Sequence, residues 1–554
     1  MQPQIKKLHF LLYGILVFSK LLVVSGQDYV IQFPETDAPW CVVTGVVPDS
    51  FADSLGLQQN DIILSINGVP IHTVEELRAQ RESAANSDIE VIVWRDGKEI
   101  PLQRYFPGGP FGMYNVYVDR GKTLTIEEMK EDLDSLFAFI YDTHPDPYAS
   151  FPKSEFRAEK DRLYASLQEE MTDVEFWKII ARFTAMIQDG HTGLFLPGGD
   201  WHYRRYSGDP IIFPLSVLIA RGSVYVEQNF SPAPISPGDK ILTINDRDMD
   251  TILDYLVQHV SGELRHFRLS QIERDFHQML YQLAGIEPPF SIKVRSVDGT
   301  TSTHILDGVD WYFMEETIDT SPGIVTELIE LPELRAAVLR FNSFQEHLPR
   351  FFRSSFSKIQ DKNYRYVIID LQNNSGGNSA FADTLLSYIT DKPYRLFGGG
   401  HLKVSSYILS QTSLFDQYEM GAIVEFPEIP LSTPPDRPAK FSGDVYCLIS
   451  NNTFSTAVGF AAVLKDFEIG TLVGEETGGI PTTFGDDAYY TLPRSSIGVV
   501  SSMKFFIRPN GDPAYVMEGV KPDVKVPVTG LDILKGRDQV LETVKGIIER
   551  KLQR

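Results

Sequence analysis

Short apolar runs separated by turn residues dominate the first hundred positions of the chain. The runs 41–47, 62–66 and 89–94 have the length of strands, so they predict a small β-rich unit. From about residue 323 the pattern changes, and buried strand-like runs alternate with helical stretches. Repeated strand–turn–helix units predict a mainly parallel, layered α/β core. The elements predicted in this core are strands at 366–369, 445–450 and 469–474, helices at 379–389 and 456–465, and a terminal amphipathic helix within 531–554.

A helical block is predicted between these two regions. Capping boxes of the form Thr-x-x-Glu at 125–128 and 172–175 each open a stretch with apolar residues at helical spacing. The second stretch runs from 176 to 187 and is predicted to stop at Gly190, because glycine tolerates the positive φ of a helix end. His191 then stands in a turn just past the helix.

Composition narrows the function classes. The chain has 554 residues, of which 43% are hydrophobic, so it is too long for one core and predicts several domains. The formal net charge of −23 argues against nucleic acid as a partner, because phosphate binding needs a basic surface. The eleven histidines are scattered without metal-ligand spacing, and no phosphate-binding or dinucleotide glycine pattern follows a strand. We therefore expect neither a metal nor another cofactor.

The N-terminus predicts export. Lysines at positions 6 and 7 precede an apolar run, and small residues stand before Gln27, which is the layout of a cleaved secretory signal peptide. Cleavage after residue 26 removes three lysines and no acids, so the mature charge becomes −26. An uncleaved membrane anchor is the alternative, although Lys20 interrupts the apolar run. Cys41 and Cys447 are the only cysteines, and we expect two buried free thiols.

Residues 50–71 carry the first family resemblance. The sequence SFADSLGLQQNDIILSINGVPI contains a short helix, a Gly-Leu turn, an acidic turn and a strand ending in Asn-Gly. It resembles the signature of a PDZ domain, over about residues 36–105. The Gly-rich loop that usually holds a peptide's terminal carboxylate is not evident near Asp28–Pro34. A PDZ-shaped spacer without a ligand is therefore the alternative.

A faint internal repeat points to a second unit of this kind. Residues 236–256 follow the pattern of residues 58–77, with an acidic turn, an apolar strand, an Ile-Asn turn and a helix start. This predicts a degenerate PDZ-like β element around 208–300. Shared turn chemistry without a shared fold is the alternative.

Ser455 is the candidate nucleophile. It lies where the strand 445–450 passes through a polar turn into the helix 456–465. There the first free N–H groups of the helix would meet the negative charge that forms on an attacked carbonyl. The same position suits an ordinary N-cap serine, so its local sequence leaves both roles open.

The motifs around Ser455 occur in the order found in the S41 peptidases, the tail-specific or C-terminal-processing family. The resemblance, with the PDZ segment, covers most of residues 36–550. Gln372 stands where the family usually has arginine. The segments that carry the resemblance are IQDGHTGL (187–194), VIIDLQNNSGGN (367–378), TFSTA (453–457), LVGEETGG (472–479) and YVMEGVKPDV (515–524).

The resemblance implies a ClpP/crotonase-like α/β spiral core that hydrolyses peptide bonds through an acyl-enzyme. One branch of the family activates its serine with a lysine about 25 residues further on. Here that position is Ile480, and no lysine occurs between Asp466 and Arg494. Lys465 is too near Ser455 on the same helix to replace it.

The other branch, which resembles the tricorn core and a secreted chlamydial protease, uses Ser, His and Glu. His191 stands in the matching Asp-Gly-His-Thr context, and imidazole has a pKa suited to a general base. Glu518 matches the acid that orients the histidine, directly or through an intermediary such as water or Thr192. Gly190 replaces a supporting serine of the tricorn type, so the link from Glu518 to His191 is left open.

The family's oxyanion hole maps to Gly376 and Gly377, together with the N–H of Thr456. A purely structural turn is the alternative for the glycine pair.

We therefore expect an exported serine endopeptidase whose PDZ domain binds protein or peptide tails or gates the site. A non-catalytic peptide- or hydrophobic-ligand-binding protein on the same fold is the main alternative, and a crotonase-like acyl-CoA enzyme is a third possibility. The predicted divisions are a signal peptide (1–26), a PDZ domain (27–110), a helical block (115–205), a degenerate PDZ-like element (206–310), a catalytic core (311–530) and a C-terminal helix (531–554).

Overall fold

The computed structural model describes residues 30–35, 39–317, 325–426 and 428–553. The predicted signal segment 1–26 lies outside these ranges. Inside them, no helix combines the length and the apolar character needed to cross a membrane. The two cysteines are both buried and unpaired.

The N-terminal unit is an antiparallel sheet with two short helices. Its elements are β1 (Trp40–Val46), α1 (Phe51–Leu55), β2 (Ile62–Ile66), β3 (Val69–Pro70), α2 (Val74–Ser83), β4 (Ser87–Arg95), β5 (Lys98–Phe106) and β6 (Met113–Val118). The strand order is β5-β4-β2-β1-β6, so β6 is an edge strand, and β3 pairs with β2. Along β1, Cys41 and Val43 pack in the core with α1, whereas Val42 lies in the cluster that contains Tyr206. This period of two is expected for a strand that is buried on both faces.

The helical block follows the N-terminal unit and contains the turn that carries His191. Its elements are β7 (Thr123–Thr125), α3 (Ile126–Thr143), α4 (Lys153–Ser166), β8 (Glu170–Thr172), α5 (Asp173–Ala185), β9 (Gly193–Leu194) and α6 (Gly199–Tyr206). Both predicted capping boxes are formed, at the starts of α3 and α5. Helix α5 ends at Ala185, earlier than the predicted Gly190, and Gln188 has a left-handed φ of 56°. His191 therefore lies in an irregular turn that leads into β9.

The second β unit has the strand order of the first. Its elements are β10 (Leu215–Ala220), β11 (Ser223–Asn229), β12 (Lys240–Ile244), β13 (Arg247–Asp248), α7 (Met249–Val257), α8 (Arg265–Arg274), α9 (Phe276–Gln282), β14 (Phe290–Arg295) and β15 (Thr301–Leu306). The order β15-β14-β12-β11-β10, with β13 on β12, matches that of the first sheet. The two units differ in where the edge strand occurs along the chain. The edge strand β6 comes last in the first unit, whereas the edge strand β10 comes first in the second. Helix α8 covers the β10 edge, where Glu273 accepts the N–H of Ile219.

The C-terminal part forms the α/β core. Its elements are α10 (Trp311–Thr317), β16 (Thr326–Leu331), a 3-10 turn (Pro332–Leu334), β17 (Ala336–Phe341), α11 (Leu348–Asp361), β18 (Tyr366–Asp370), α12 (Ser379–Ile389), β19 (Gly399–Lys403), α13 (Ser406–Gln411), a 3-10 turn (Ser413–Phe415), β20 (Ile423–Phe426), β21 (Asp444–Ile449), α14 (Thr456–Asp466), β22 (Thr471–Gly474), β23 (Thr483–Thr491), β24 (Gly498–Ile507), β25 (Val524–Lys525), α15 (Gly530–Leu534) and α16 (Gln539–Leu552). The predicted terminal helix is in fact two helices, with Gly536 at a φ of 57° between them.

The core sheet has the order β16-β17-β18-β21-β22-β25, and all its pairs from β17 onwards are parallel. Helices α11, α12 and α14 pack on one face and α16 packs on the other, which is the layered arrangement that the sequence predicts. The carboxyl ends of β18 and β21 lie side by side, so the turns that follow them meet. A second sheet, β20-β19-β24-β23, also pairs β24 with β9 and so brings the His191 turn to the core.

Candidate active site

Ser455 lies in the turn between β21 and α14 with a strained backbone. Its φ of 55° and ψ of −125° form a combination that residues with a side chain rarely adopt, and strain of about 1–3 kcal/mol persists only where the surrounding structure imposes it. Its hydroxyl makes no capping hydrogen bond to α14. Instead, Oγ lies 3.0 Å from Nε2 of His191. The Ser455 hydroxyl is therefore directed towards His191, whereas the hydroxyl of an ordinary N-cap serine bonds to its own helix.

The turn that carries Ser455 is fastened to the turn that follows β18. The Thr453 hydroxyl donates to the Leu371 carbonyl at 2.8 Å, and the Phe454 N–H donates to the Asn374 carbonyl at 3.0 Å. These bonds tie the polar segment between β21 and α14 to the neighbouring turn.

Aromatic rings hold the imidazole of His191 in place. The ring stacks on Phe454 with centroids 4.6 Å apart, and Phe454 also stacks on Phe267 of α8 at 4.2 Å. The side chain of His191 is only 9% exposed. The second β unit therefore contributes, through α8, to the wall of the site.

Asp189 anchors the turn that carries His191. Its buried carboxylate accepts the His191 backbone N–H at 2.9 Å, the Thr192 and Ser502 hydroxyls at 2.6 Å each, and lies 3.2 Å from Nε2 of His144. Burial alone would raise the pKa of Asp189, but the hydrogen bond from His144 and the charges of His144 and His191 outweigh it and hold that pKa well below its ordinary value. Asp189 is therefore ionised beside the imidazole at neutral pH.

Two further carboxylates, those of Glu263 and Asp487, change the pKa of His191. Glu263, on the loop before α8, accepts the Gly190 N–H at 3.2 Å, and burial together with the charge of Asp189 raises the pKa of Glu263 to about 7. On β23, burial likewise raises the pKa of Asp487. Burial would lower the pKa of His191, but the charges of Asp189, Asp487 and Glu263 raise it to about 9. The imidazole therefore holds its proton at neutral pH and becomes a free base as the pH rises.

The predicted oxyanion residues lie against Ser455. Gly376 has a φ of 100°, and a Cβ added there would lie 2.5 Å from the Cβ of Ser455. Its N–H already donates to Oδ1 of Asn374 at 2.9 Å. The N–H groups of Gly377 and Thr456, by contrast, have no hydrogen-bond acceptor among the described residues. Gly376 is therefore corrected from a donor to a close-packing residue, whereas Gly377 and Thr456 offer free donors.

The structure does not bring Glu518 to His191. The Glu518 side chain is 59% exposed and forms an ion pair with Lys521 at 2.6 Å. Its turn is fixed by the Gly519 N–H, which donates to Glu476 at 2.7 Å, and the carboxylate faces solvent. The prediction that Glu518 orients the histidine is therefore corrected, because the acids that influence His191 are the buried ones.

The lysine nearest to Ser455 on α14 is engaged by other groups. The ammonium of Lys465 is bonded to the Lys521 carbonyl and to Asp523, at 2.7 and 2.9 Å. In the part of the chain that the structure describes, no group of three or more His, Cys, Asp or Glu side chains is placed to hold a metal ion. The imidazole of His191 and the backbone N–H groups of Gly377 and Thr456 are polar groups that the described residues place near Ser455.

The sequence predicted Ser455 and His191, which the structure brings together, but it did not point to the three acids around the imidazole. Asp189 was visible inside the Asp-Gly-His-Thr motif, although nothing in that motif showed that its side chain is buried. Glu263 and Asp487 lie on distant segments without a motif, and no local signal marks them.

The comparisons with known proteins agree with this architecture. Residues 335–526 match the sequence model of peptidase family S41, and residues 42–95 match that of the PDZ domain. A search of curated proteins found no match. Among solved structures, mature CPAF complexed with lactacystin has 17% identity and a TM-score of 0.55, covering 76% of this chain and 98% of that one. Mature CPAF alone has 17% identity and a TM-score of 0.54, with coverages of 76% and 97%.

At such identity, these structural likenesses show the fold, and the family match supplies the class: the chain is a serine-type peptidase. It carries a peptidase family S41 domain at 335–526 behind an N-terminal PDZ domain at 42–95. The predicted resemblance to the S41 and PDZ families and the predicted fold class are confirmed, whereas the Ser/His/Glu branch stays a prediction.

Proposed function

We propose that this chain is an exported serine endopeptidase in which Ser455 is the nucleophile and His191 is the general base. The observation that carries the proposal is the 3.0 Å approach of Ser455 Oγ to His191 Nε2 from a strained backbone position. A hydroxyl needs such a base, because it is a weak nucleophile at its own pKa. Export rests on the N-terminal segment of the sequence.

In the first half of the reaction, Ser455 Oγ attacks the peptide carbonyl while His191 Nε2 takes its proton. The oxyanion that forms is met by the N–H groups of Gly377 and Thr456, and by the positive end of the α14 dipole. His191 then gives the proton to the leaving amine, and an acyl-enzyme remains. In the second half, His191 activates water, which releases the acyl group from Ser455.

Asp189 acts by fixing the turn that presents His191. Because its carboxylate is already bonded to the His191 backbone and to Thr192, Ser502 and His144, the turn has little freedom to rotate. The Nδ1 of His191 lies 3.8 Å from Oδ1 of Asp189, which is too long for a hydrogen bond. Asp189 therefore supports the imidazolium mainly by its charge.

The proposal is tested on protein secreted by an expressing cell. We expect its N-terminus to be Gln27 and a fluorophosphonate to form one adduct, located on Ser455 by peptide mass mapping. Labelling should accelerate with pH through the alkaline range, because the raised pKa of His191 keeps the base protonated at neutral pH. An adduct on another serine, or none at any pH, contradicts the nucleophile assignment and favours a non-catalytic binding protein.

We also propose that the PDZ domain holds the C-terminal tail of a substrate. PDZ domains take an extended peptide as an extra strand on a sheet edge, and β6 is such an edge. The Gly-rich segment 107–112 leads directly into β6, and Gly112 has a φ of 78°. Sequence inspection near Asp28–Pro34 missed this segment because the edge strand comes last in this unit.

A peptide substrate with a free C-terminal carboxylate is expected to have a KM about tenfold below that of its C-terminal amide, since a lost charged contact costs about 1.4 kcal/mol. Steady-state kinetics on matched substrates measures this, and kcat should be the same for both. Equal KM values for acid and amide would mean that the PDZ domain is a spacer.

A further inference from the structure

One buried atom of the active site lacks the partner that its chemistry requires. Nδ1 of His191 is buried and has no hydrogen-bond partner among the described residues. When Nε2 takes a proton from Ser455, Nδ1 carries the other hydrogen of the imidazolium. A buried N–H without an acceptor would oppose that protonation.

Strand β23 holds a second buried atom without a partner. Asp487 accepts the Tyr489 hydroxyl on Oδ2 at 3.0 Å, but its Oδ1 is buried and has no donor among the described residues. An unpaired carboxylate oxygen and an unpaired ring nitrogen are complementary, because one accepts the hydrogen that the other carries.

The register of the sheet puts Asp487 on the face of β23 that lies towards the His191 turn. Asp487 is paired across the strands with Ser502 of β24, and cross-strand partners project to the same face. The Ser502 hydroxyl donates to Asp189, the anchor of the His191 turn. Two residues before Asp487, a Cβ added to Gly485 would lie 3.7 Å from Cε1 of His191, so β23 runs directly beside the imidazole.

We propose that Asp487 is the positioning acid of the site: it accepts the Nδ1–H of His191, directly or through one water, as the imidazolium forms. The inference rests on the proposed function, because it assigns a partner to the base of that reaction. It assigns to Asp487 the role that the family resemblance predicted for Glu518.

The other charged groups around the imidazole have different tasks. Asp189 holds the turn and already accepts from several donors, and Glu263 is bonded to the Gly190 N–H and the Thr483 hydroxyl. Phe454 and Ser455 approach from the nucleophile turn without charge. Asp487 is therefore the acid with an unused oxygen.

The test is Asp487→Asn in the full mature chain, with Asp486→Asn as the matched control. Asp486 is exposed and pairs with Lys504, and asparagine tolerates its left-handed φ of 57°. For Asp487→Asn we expect kcat to fall on the order of 100-fold with KM within about twofold, because the imidazolium loses its acceptor. The acid limb of kcat/KM should also move to lower pH, since a charge that raises the pKa of His191 is removed. Asp486→Asn should leave both values within about twofold of the unmodified enzyme.

Asp487→Glu separates charge from folding, because it keeps the carboxylate. If Asp487→Asn is recovered poorly, the glutamate variant is expected to keep the acid limb where the unmodified enzyme has it. The inference is overturned if Asp487→Asn has the kcat and pH profile of the unmodified enzyme. It is also overturned if the acid limb of Asp487→Glu moves to lower pH as that of Asp487→Asn does. The proposed function fails separately, because then the unmodified enzyme itself does not label on Ser455.

Discussion

Ser455→Ala is expected to lower kcat by about 10⁶-fold, and His191→Ala by a comparable factor, because a nucleophile and its base act as one unit. The double variant should be no slower than either single one, for the same reason. The residual rate would come from substrate binding and from the free N–H groups of Gly377 and Thr456. Hydrolysis of a fluorogenic peptide, measured at a pH above 9, checks this prediction where His191 is deprotonated.

The control for this prediction is Ser354→Ala. Ser354 is an exposed serine on α11, and its hydroxyl donates to the Phe351 carbonyl and to no other group among the described residues. The peptide hydrolysis rate and the thermal unfolding of Ser354→Ala should match those of the unmodified chain. Two independent losses, with factors that multiply in the double variant, would show that His191 does not act on Ser455.

The architecture could be predicted because its signals are local. Alternating apolar residues, capping boxes and strand–turn–helix units are set by neighbours in sequence, and so the α/β core and the β units follow from them. The boundary of α5 was missed because it depends on a left-handed residue, Gln188, whose conformation no pattern of polarity reveals. The same is true of Gly536, which divides the C-terminal helix.

The acid of the site could not be predicted for a different reason. A motif gives the position of Glu518 along the chain but not the direction of its side chain, which the turn at Gly519 directs into solvent. Asp487 reaches His191 only because β23 pairs with β24, and β24 also pairs with β9 beyond the histidine. Such convergence of distant segments is a property of the tertiary fold.

Gly376→Ala is expected to reduce kcat about 10³-fold although the substituted residue carries no reacting group, because displaced groups and lost oxyanion donors each cost about 10²–10³-fold. The new Cβ would lie 2.5 Å from Ser455 Cβ and 3.0 Å from both the Phe454 carbonyl oxygen and the Thr456 nitrogen. These atoms are backbone or the root of the nucleophile, so the turn itself must move. Alanine at a φ of 100° also adds about 1–3 kcal/mol of strain.

Gly459→Ala separates this local effect from a general intolerance of alanine near Ser455. Gly459 lies in α14 itself, and outside the backbone of its own helix a Cβ there meets no atom of the described residues within 4 Å. The variant should keep kcat within about twofold and gain about 1 kcal/mol of stability, because alanine is the better helix former. Peptide hydrolysis, fluorophosphonate labelling and thermal unfolding, compared across the two variants, check both expectations. The opposite result is that Gly376→Ala labels and cleaves like Gly459→Ala. The close packing of the glycine turn on Ser455 would then have no part in catalysis, and the position of the Gly377 N–H beside Ser455 would not matter for the rate.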